Sequence, residues 1–218
     1  KKQERSTGIH ESEIIKIAIK TLGLDELSPF NPKERIIEYM LENDTNKPLA
    51  NMTLSDFANE TASESPAPGG GSISAYCGAM GAALGTMVAN LSAHKRGWDN
   101  RWEEFSDWSE KGMEYQNILL DLVDEDTNAF NKIMDAFRLP KDTNTDKSIR
   151  NDAIQTATKH AILTPFKVME TSYNSMEIMK AMAEIGNPNS VTDAGVGALC
   201  ARTAVIGAFL NVKINCGD

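Results

Sequence analysis

From Ser65 to Ala93 the chain carries no Asp, Glu, Lys or Arg. This stretch limits the fold more than any other. It is long enough to cross a bilayer. Yet it is built from Gly, Ala, Ser and Thr, with few bulky aliphatics and Asn90 near its end, so its insertion into lipid is poorly driven. The reading that follows is a buried central helix from Ser72 to about Ala93, and no membrane span. Gly78, Gly81 and Gly85 recur along it at three- and four-residue spacing. Each interior glycine costs a helix ~1 kcal/mol relative to Ala, a loss offset when a neighbouring backbone comes close. Gly195, Ala198, Ala201, Ala204, Gly207 and Ala208 repeat the pattern near the C-terminus. Two helices with small faces predict intimate helix packing, within one subunit or across a dimer.

Periodicity supplies the remaining elements. Ile14, Ile15, Ala18 and Leu22 mark a short amphipathic helix over 12–22. Asn31-Pro32 opens a second, with Asn31 as N-cap, Pro32 at the first helical position, and Ile36, Ile37, Met40 and Leu41 as its apolar positions. Residues 42–51 are polar, contain Pro48 and read as a linker. Thr53 and Asp56 carry a capping-box signature for a helix reaching about Ala62. A Ser/Pro/Gly loop covers 63–71. Long helices are predicted over 101–137 and 148–186, joined by a loop with Pro140. Gly186-Asn187-Pro188-Asn189 breaks the second, and Ser190 or Thr192 caps a last helix to about Ile214. No alternating strand and no internal repeat interrupts the series. The fold class is therefore all-α: a bundle of long antiparallel helices with a glycine loop ahead of a small-residue central helix.

Composition narrows the function classes. The 218 residues suffice for one hydrophobic core. A formal net charge of −9 and the lack of any basic run exclude a duplex-binding footprint. Cys77, Cys200 and Cys216 are odd in number and fit no zinc or redox spacing. Reduced cysteines in apolar helices suit a cytoplasmic protein. His10, His94 and His160 are far apart, so no metal site is expected.

Two features carry possible chemistry. Gly69-Gly70-Gly71-Ser72 leads straight into the central helix, where free N–H groups and the positive dipole end can receive an anion. Composition does not separate this from a tight loop with Ser72 as a plain N-cap. The second feature is Asp126. At about 100° per residue, Leu119, Leu122, Val123, Ala129, Phe130, Ile133 and Phe137 lie within about 60° of it. Asp126 is thus expected in the buried stripe and Asp124 in water. A buried carboxylate needs a partner or a task; a raised pKa would suit proton transfer, and pairing to a buried cation is the equal alternative. Lesser candidates are Asn211 and Asn215, which share a helix face, Asp193 at a helix start, Lys141 and Arg150 around the Pro140 loop, and Glu170.

Six stretches, in order, resemble one family: Ser28–Tyr39 (SPFNPKERIIEY), Ala67–Ser72 (APGGGS), Met80–Gly85 (MGAALG), Val123–Phe130 (VDEDTNAF), Arg138–Lys141 (RLPK) and Phe209–Asn215 (FLNVKIN). They are similar to formiminotransferase-cyclodeaminase, the bifunctional folate enzyme of histidine breakdown. The resemblance implies the end of the transferase domain at 1–42, a linker at 43–52 and a cyclodeaminase domain at 53–218 that lacks its last helix. Without most of the transferase domain, transferase activity is not expected. The resemblance further implies a homodimer or higher homo-oligomer and no cofactor beyond the tetrahydrofolate substrate. The implied reaction is conversion of 5-formiminotetrahydrofolate to 5,10-methenyltetrahydrofolate and ammonia. Asp126 would be the catalytic acid/base. Gly69, Gly70, Gly71, Ser72 and Asn211 would bind substrate, and Lys141 would meet the anionic (poly)glutamate tail. Methenyltetrahydrofolate cyclohydrolase of the same fold and a non-catalytic helical dimerisation module are the competing readings.

Overall fold

The computed structural model describes residues 11–26, 28–41 and 47–217. Among them every regular element is helical. The short helices are α1 (Glu11–Thr21), α2 (Pro32–Arg35), α3 (Ile37–Leu41) and α4 (Leu54–Thr61). The long ones are α5 (Gly70–Ala93), α6 (Trp102–Arg138), α7 (Asn144–Ile185) and α8 (Val191–Asn215). Single 3₁₀ turns at Asp99–Arg101 and Pro188–Ser190 lead into α6 and α8. Residues 42–46 of the expected linker and His10 lie outside the described residues.

Local chemistry explains the boundaries. Asn31 caps α2 by accepting from the Lys33 N–H, with Pro32 in the first turn. The single helix expected there is instead two, because Ile36 is extended (φ −102°, ψ 122°). None of α2's residues is buried, so no packing holds the β-branched Ile36 in a continuous helix. Thr53 Oγ1 accepts from Asp56 N at 3.1 Å and caps α4. α7 begins earlier than the expected 148. Thr143 and Asp146 form a reciprocal capping box there, each side chain receiving the other's N–H at 3.0 Å. Ser190 sits at the N-cap of α8 without a side-chain cap bond.

α5 runs through the middle of the molecule, against α6, α7 and α8 in turn. It is antiparallel to α6 and α8: its start meets Asp126 and Asn211, and its middle meets Gly197 and Ala201. The small-residue face is used where α5 crosses α8. A Cβ on Gly81 would lie 2.8 Å from the Gly197 carbonyl oxygen, and one on Gly197 3.0 Å from that of Gly81. No larger residue fits this crossing. Gly195, by contrast, faces open space. Both α5 and the Pro188–Asn215 helix are long and apolar enough to cross a membrane. α5 is mostly buried within the bundle, whereas α8 exposes Leu199, Ile206, Leu210 and Ile214 along one side.

The core has two parts. One gathers Val88, Phe105, Ile178, Met179 and Met182 where α5 and α7 end. The other gathers Ala75, Ala79, Leu119, Val123, Val168 and Ala208 near the start of α5. Leu49, from the expected linker, belongs to this second part. Cys77 and Cys200 are half-buried, Cys216 is exposed, and all three are free. Burial, then the neighbouring Cys200, pushes the Cys77 thiol up from its ordinary value, which disfavours the reactive thiolate.

Candidate active site

The glycine loop and Asp126 meet. α5 starts at Gly70 with Gly69 at the N-cap. Ser72 is therefore inside the first turn, which removes the alternative of a plain N-cap there. Its N–H donates to Asp126 Oδ2 at 3.0 Å and its hydroxyl reaches the same oxygen at 3.3 Å. The anion site predicted at this helix end is thus occupied by the protein's own carboxylate. The glycine run has a plain steric reason. A Cβ on Gly71 would stand 2.0 Å from Asp126 Oδ1, so any larger residue would displace the carboxylate.

Both bonds fall on Oδ2. Among the described residues Oδ1 has no hydrogen-bond partner, and Asp126 lines a cavity of about 170 Å³. Burial raises the Asp126 carboxyl above its ordinary value, against the lowering effect of the Ser72 hydroxyl and N–H. A carboxyl held this way can take up and return a proton closer to neutral pH. Gly69, Gly70 and Gly71 form one wall of the cavity, Phe130 and Ile133 another, and Asn211 and Asn215 a third. The Asn211 amide lies 3.5 Å from where a Cβ of Gly70 would be. Thr127 also lines the cavity, and among the described residues its buried hydroxyl has no partner.

The stripe around Asp126 differs from expectation in two ways. Asp124 does not face water: it is 3% exposed. Its carboxylate accepts the Leu49 N–H at 2.8 Å and the Ala50 N–H at 3.0 Å. Residues 47–52 fold back over the face that the helical wheel assigned to solvent, and Lys47 pairs with Asp121 at 2.6 Å. Conversely, Phe130 and Phe137 are 42% and 51% exposed. Phe130 lines the cavity in place of filling a core, and Phe137 lies at the surface beneath the Arg150 guanidinium. The Asp126 face is buried towards Leu119 and Val123 and open towards Phe137.

The other candidates separate from this centre. Lys141 is exposed in the turn between α6 and α7 and does not line the cavity. Among the described residues Arg150 meets no carboxylate: it donates to the Phe137 carbonyl at 3.3 Å, which satisfies the end of α6. Glu170 pairs with Lys167 on the surface at 2.9 Å. His160 Nε2 lies 3.1 Å from Glu125 on the neighbouring face of α6. Thr127 went unremarked in the sequence, where a lone Thr beside an acidic pair carries no periodic signal.

A sequence model described as Formiminotransferase-cyclodeaminase matches residues 53–218. The chain belongs to the formiminotransferase-cyclodeaminase family. A second model, the Formiminotransferase domain, matches residues 1–42. Over its full length the chain is 36% identical to the formimidoyltransferase-cyclodeaminase of Gallus gallus, covering 40% of that protein. It spans 40% of the length of the rat and mouse relatives too. It is 36% identical over 165 residues to the methenyltetrahydrofolate cyclohydrolase of Methylorubrum extorquens, covering 76% of this chain and 79% of that one. Its fold matches the crystal structure of a formiminotetrahydrofolate cyclodeaminase from Thermotoga maritima, with TM-score 0.67 and 29% identity, over 77% of this chain and 79% of that chain. The all-α bundle is thus a family fold, and Asp126, the glycine loop and both asparagines all lie inside the matched region 53–218.

Proposed function

We propose that this chain carries the formimidoyltetrahydrofolate cyclodeaminase reaction, with Asp126 as the proton carrier. The observation that supports it best is the half-buried Asp126 carboxyl, raised by burial, with one oxygen tied to Ser72 and the other towards the cavity. In the reaction, N10 of the folate attacks the carbon of the formimino group on N5, whose nitrogen is protonated. Asp126 takes the N10 proton and delivers it to the formimino nitrogen of the tetrahedral centre. The C–N bond then breaks and ammonia leaves, so one proton is carried and none is consumed from outside. A positioned general acid/base of this kind contributes ~10²–10⁴ in rate.

The cavity is smaller than the ~300 Å³ or more typical of a pocket for a drug-sized ligand. It suits the reacting end of a folate, with the glutamate tail outside; Lys141 is the proposed contact for that tail. We assign residues 53–218 to the cyclodeaminase domain, 43–52 to the linker and 1–42 to the end of a transferase domain. The exposed Leu199, Ile206, Leu210 and Ile214 face of α8 is the surface we assign to a homodimer. The free cysteines suit the cytoplasm.

The cyclohydrolase reading is the rival, supported by a relative covered over most of its own length. In it, water would attack the same one-carbon centre. The test is a paired assay on the purified chain. Ammonia release from 5-formiminotetrahydrofolate with growth of the methenyl absorbance is the expected result. Hydrolysis of 5,10-methenyltetrahydrofolate without ammonia release would replace the proposal with its rival.

A further inference from the structure

α7 contains Pro165 in its interior, buried and without an N–H to give. A helical proline leaves the carbonyl four residues earlier without its donor. That carbonyl belongs to Ala161, which is buried at the wall of the Asp126 cavity. The missing bond comes from another helix: Asn215 Nδ2 at the end of α8 donates to the Ala161 oxygen at 2.8 Å. A carbonyl can only accept, so this contact fixes which end of the Asn215 amide faces α7. Oδ1 is left over, on a residue that lines the same cavity.

Asn211, one turn earlier, is used the same way. Its Nδ2 donates to the Gly207 carbonyl at 3.0 Å, again leaving Oδ1. Each amide therefore spends one of its two N–H groups on main chain and keeps its Oδ1 acceptor. Across the cavity stands Asp126, another acceptor when ionised. These acceptors suit a ligand edge that brings N–H groups.

We propose that Asn215 is a positioning and specificity residue, stitching the Ala161 carbonyl orphaned by Pro165 and thereby presenting its Oδ1, beside that of Asn211, to an N–H-bearing ligand edge. This rests on the folate reading above: the edge is that of the reduced pterin or the formimino nitrogen. It places the N–H-rich head in the cavity.

Four versions of the whole chain described above test it: wild type, Asn215→Ala, Pro165→Ala and the double variant. In Pro165→Ala the new backbone N–H can serve Ala161. Asn215→Ala should therefore lower Tm by about 3 °C in the wild-type background, the loss of roughly one part-buried hydrogen bond, and leave Tm unchanged in the Pro165→Ala background. An equal fall in both backgrounds overturns the stitch. If Pro165→Ala does not fold, Asn215→Asp, which keeps the shape but loses the donor, must reproduce the Tm loss, and an unchanged Tm overturns the stitch. KM for 5-formiminotetrahydrofolate should rise about tenfold in Asn215→Ala, the scale of one lost hydrogen bond, with kcat much less affected. An unchanged KM reduces Asn215 to a structural residue and overturns the ligand role. If wild type releases no ammonia, the cyclodeaminase reading fails by itself. The Tm cycle still decides the stitch, and the KM comparison runs with 5,10-methenyltetrahydrofolate, which has the same pterin N–H edge.

Discussion

Asp124 and Asp126 stand two residues apart on one helix, and both accept main-chain N–H bonds from a distant segment. Asp124 spends both oxygens. Its two bonds, from Leu49 and Ala50, clamp residues 47–52 onto α6, and almost none of it reaches solvent. Asp126 spends one. Oδ2 is held by Ser72, while Oδ1 remains at a cavity. The difference separates a carboxylate that completes a fold from one left able to react. Neither burial nor hydrogen bonding alone marks a reactive acid; the oxygen without a protein partner does.

The sharpest way to break this contrast is Asp126→Asn. It keeps shape and can still accept from Ser72, so fold is retained while ammonia release falls by ~10²-fold or more. Full activity in a steady-state assay would remove Asp126 from the chemistry. Gly71→Ala comes next. The added methyl would meet Oδ1 at 2.0 Å, and a displacement on the order of 1 Å costs ~10²-fold in rate. Circular dichroism should show an intact helical fold, and wild-type kcat would mean the carboxylate need not sit where it does.

Asp124→Ala should behave oppositely. Leaving the buried Leu49 N–H unpaired lowers stability by ~1–3 kcal/mol, measured by urea denaturation, while kcat per folded molecule is unchanged. A large kcat loss with little loss of stability would reverse the roles of the two aspartates. Acid–base behaviour sharpens the comparison further. A carboxyl raised on folding contributes stability that is full below its unfolded pKa and lost as pH rises through the folded value. Ionised Asp126 therefore subtracts from stability at neutral pH, so Asp126→Asn should match or exceed the wild-type Tm there, and this gain should disappear in acid. The wild-type kcat/KM should inflect above the ordinary aspartate range. The smallest effect belongs to Lys47→Ala. Its ion pair with Asp121 is about half exposed, so its loss should change stability by under ~1 kcal/mol.

Much of this was legible in the residues. The charge-free stretch gave a central helix because its small side chains could be useful only against close neighbours, and the Gly81–Gly197 crossing is that use. Caps at Asn31, Thr53 and Thr143 followed local hydrogen-bonding rules, although the Thr143 cap lies before the start predicted for α7. The helical wheel placed Asp126 on the face that meets the glycine loop. The same wheel failed for Asp124 because it knows one helix and its own periodicity. A strap arriving from residues 47–52 covers a polar face without leaving any apolar trace in α6. Phe130 failed for the complementary reason, since an apolar residue can line a cavity as readily as fill a core, and Phe137 stays at the surface.

By itself, then, the sequence determined the helical class, the close-packed central helix and the pairing of a glycine run with one aspartate as the features to watch. Those follow from local propensity and periodicity, which act within a few turns. Only the tertiary structure decided that Asp126 occupies the helix end that the glycine loop opens. It alone decided that Asp124 is a clamp and that Asn215 serves a carbonyl freed by Pro165. Each of these is a contact between segments about 50 or more residues apart. Hydrogen-bond demand at that range is set by which buried groups the packing leaves unsatisfied.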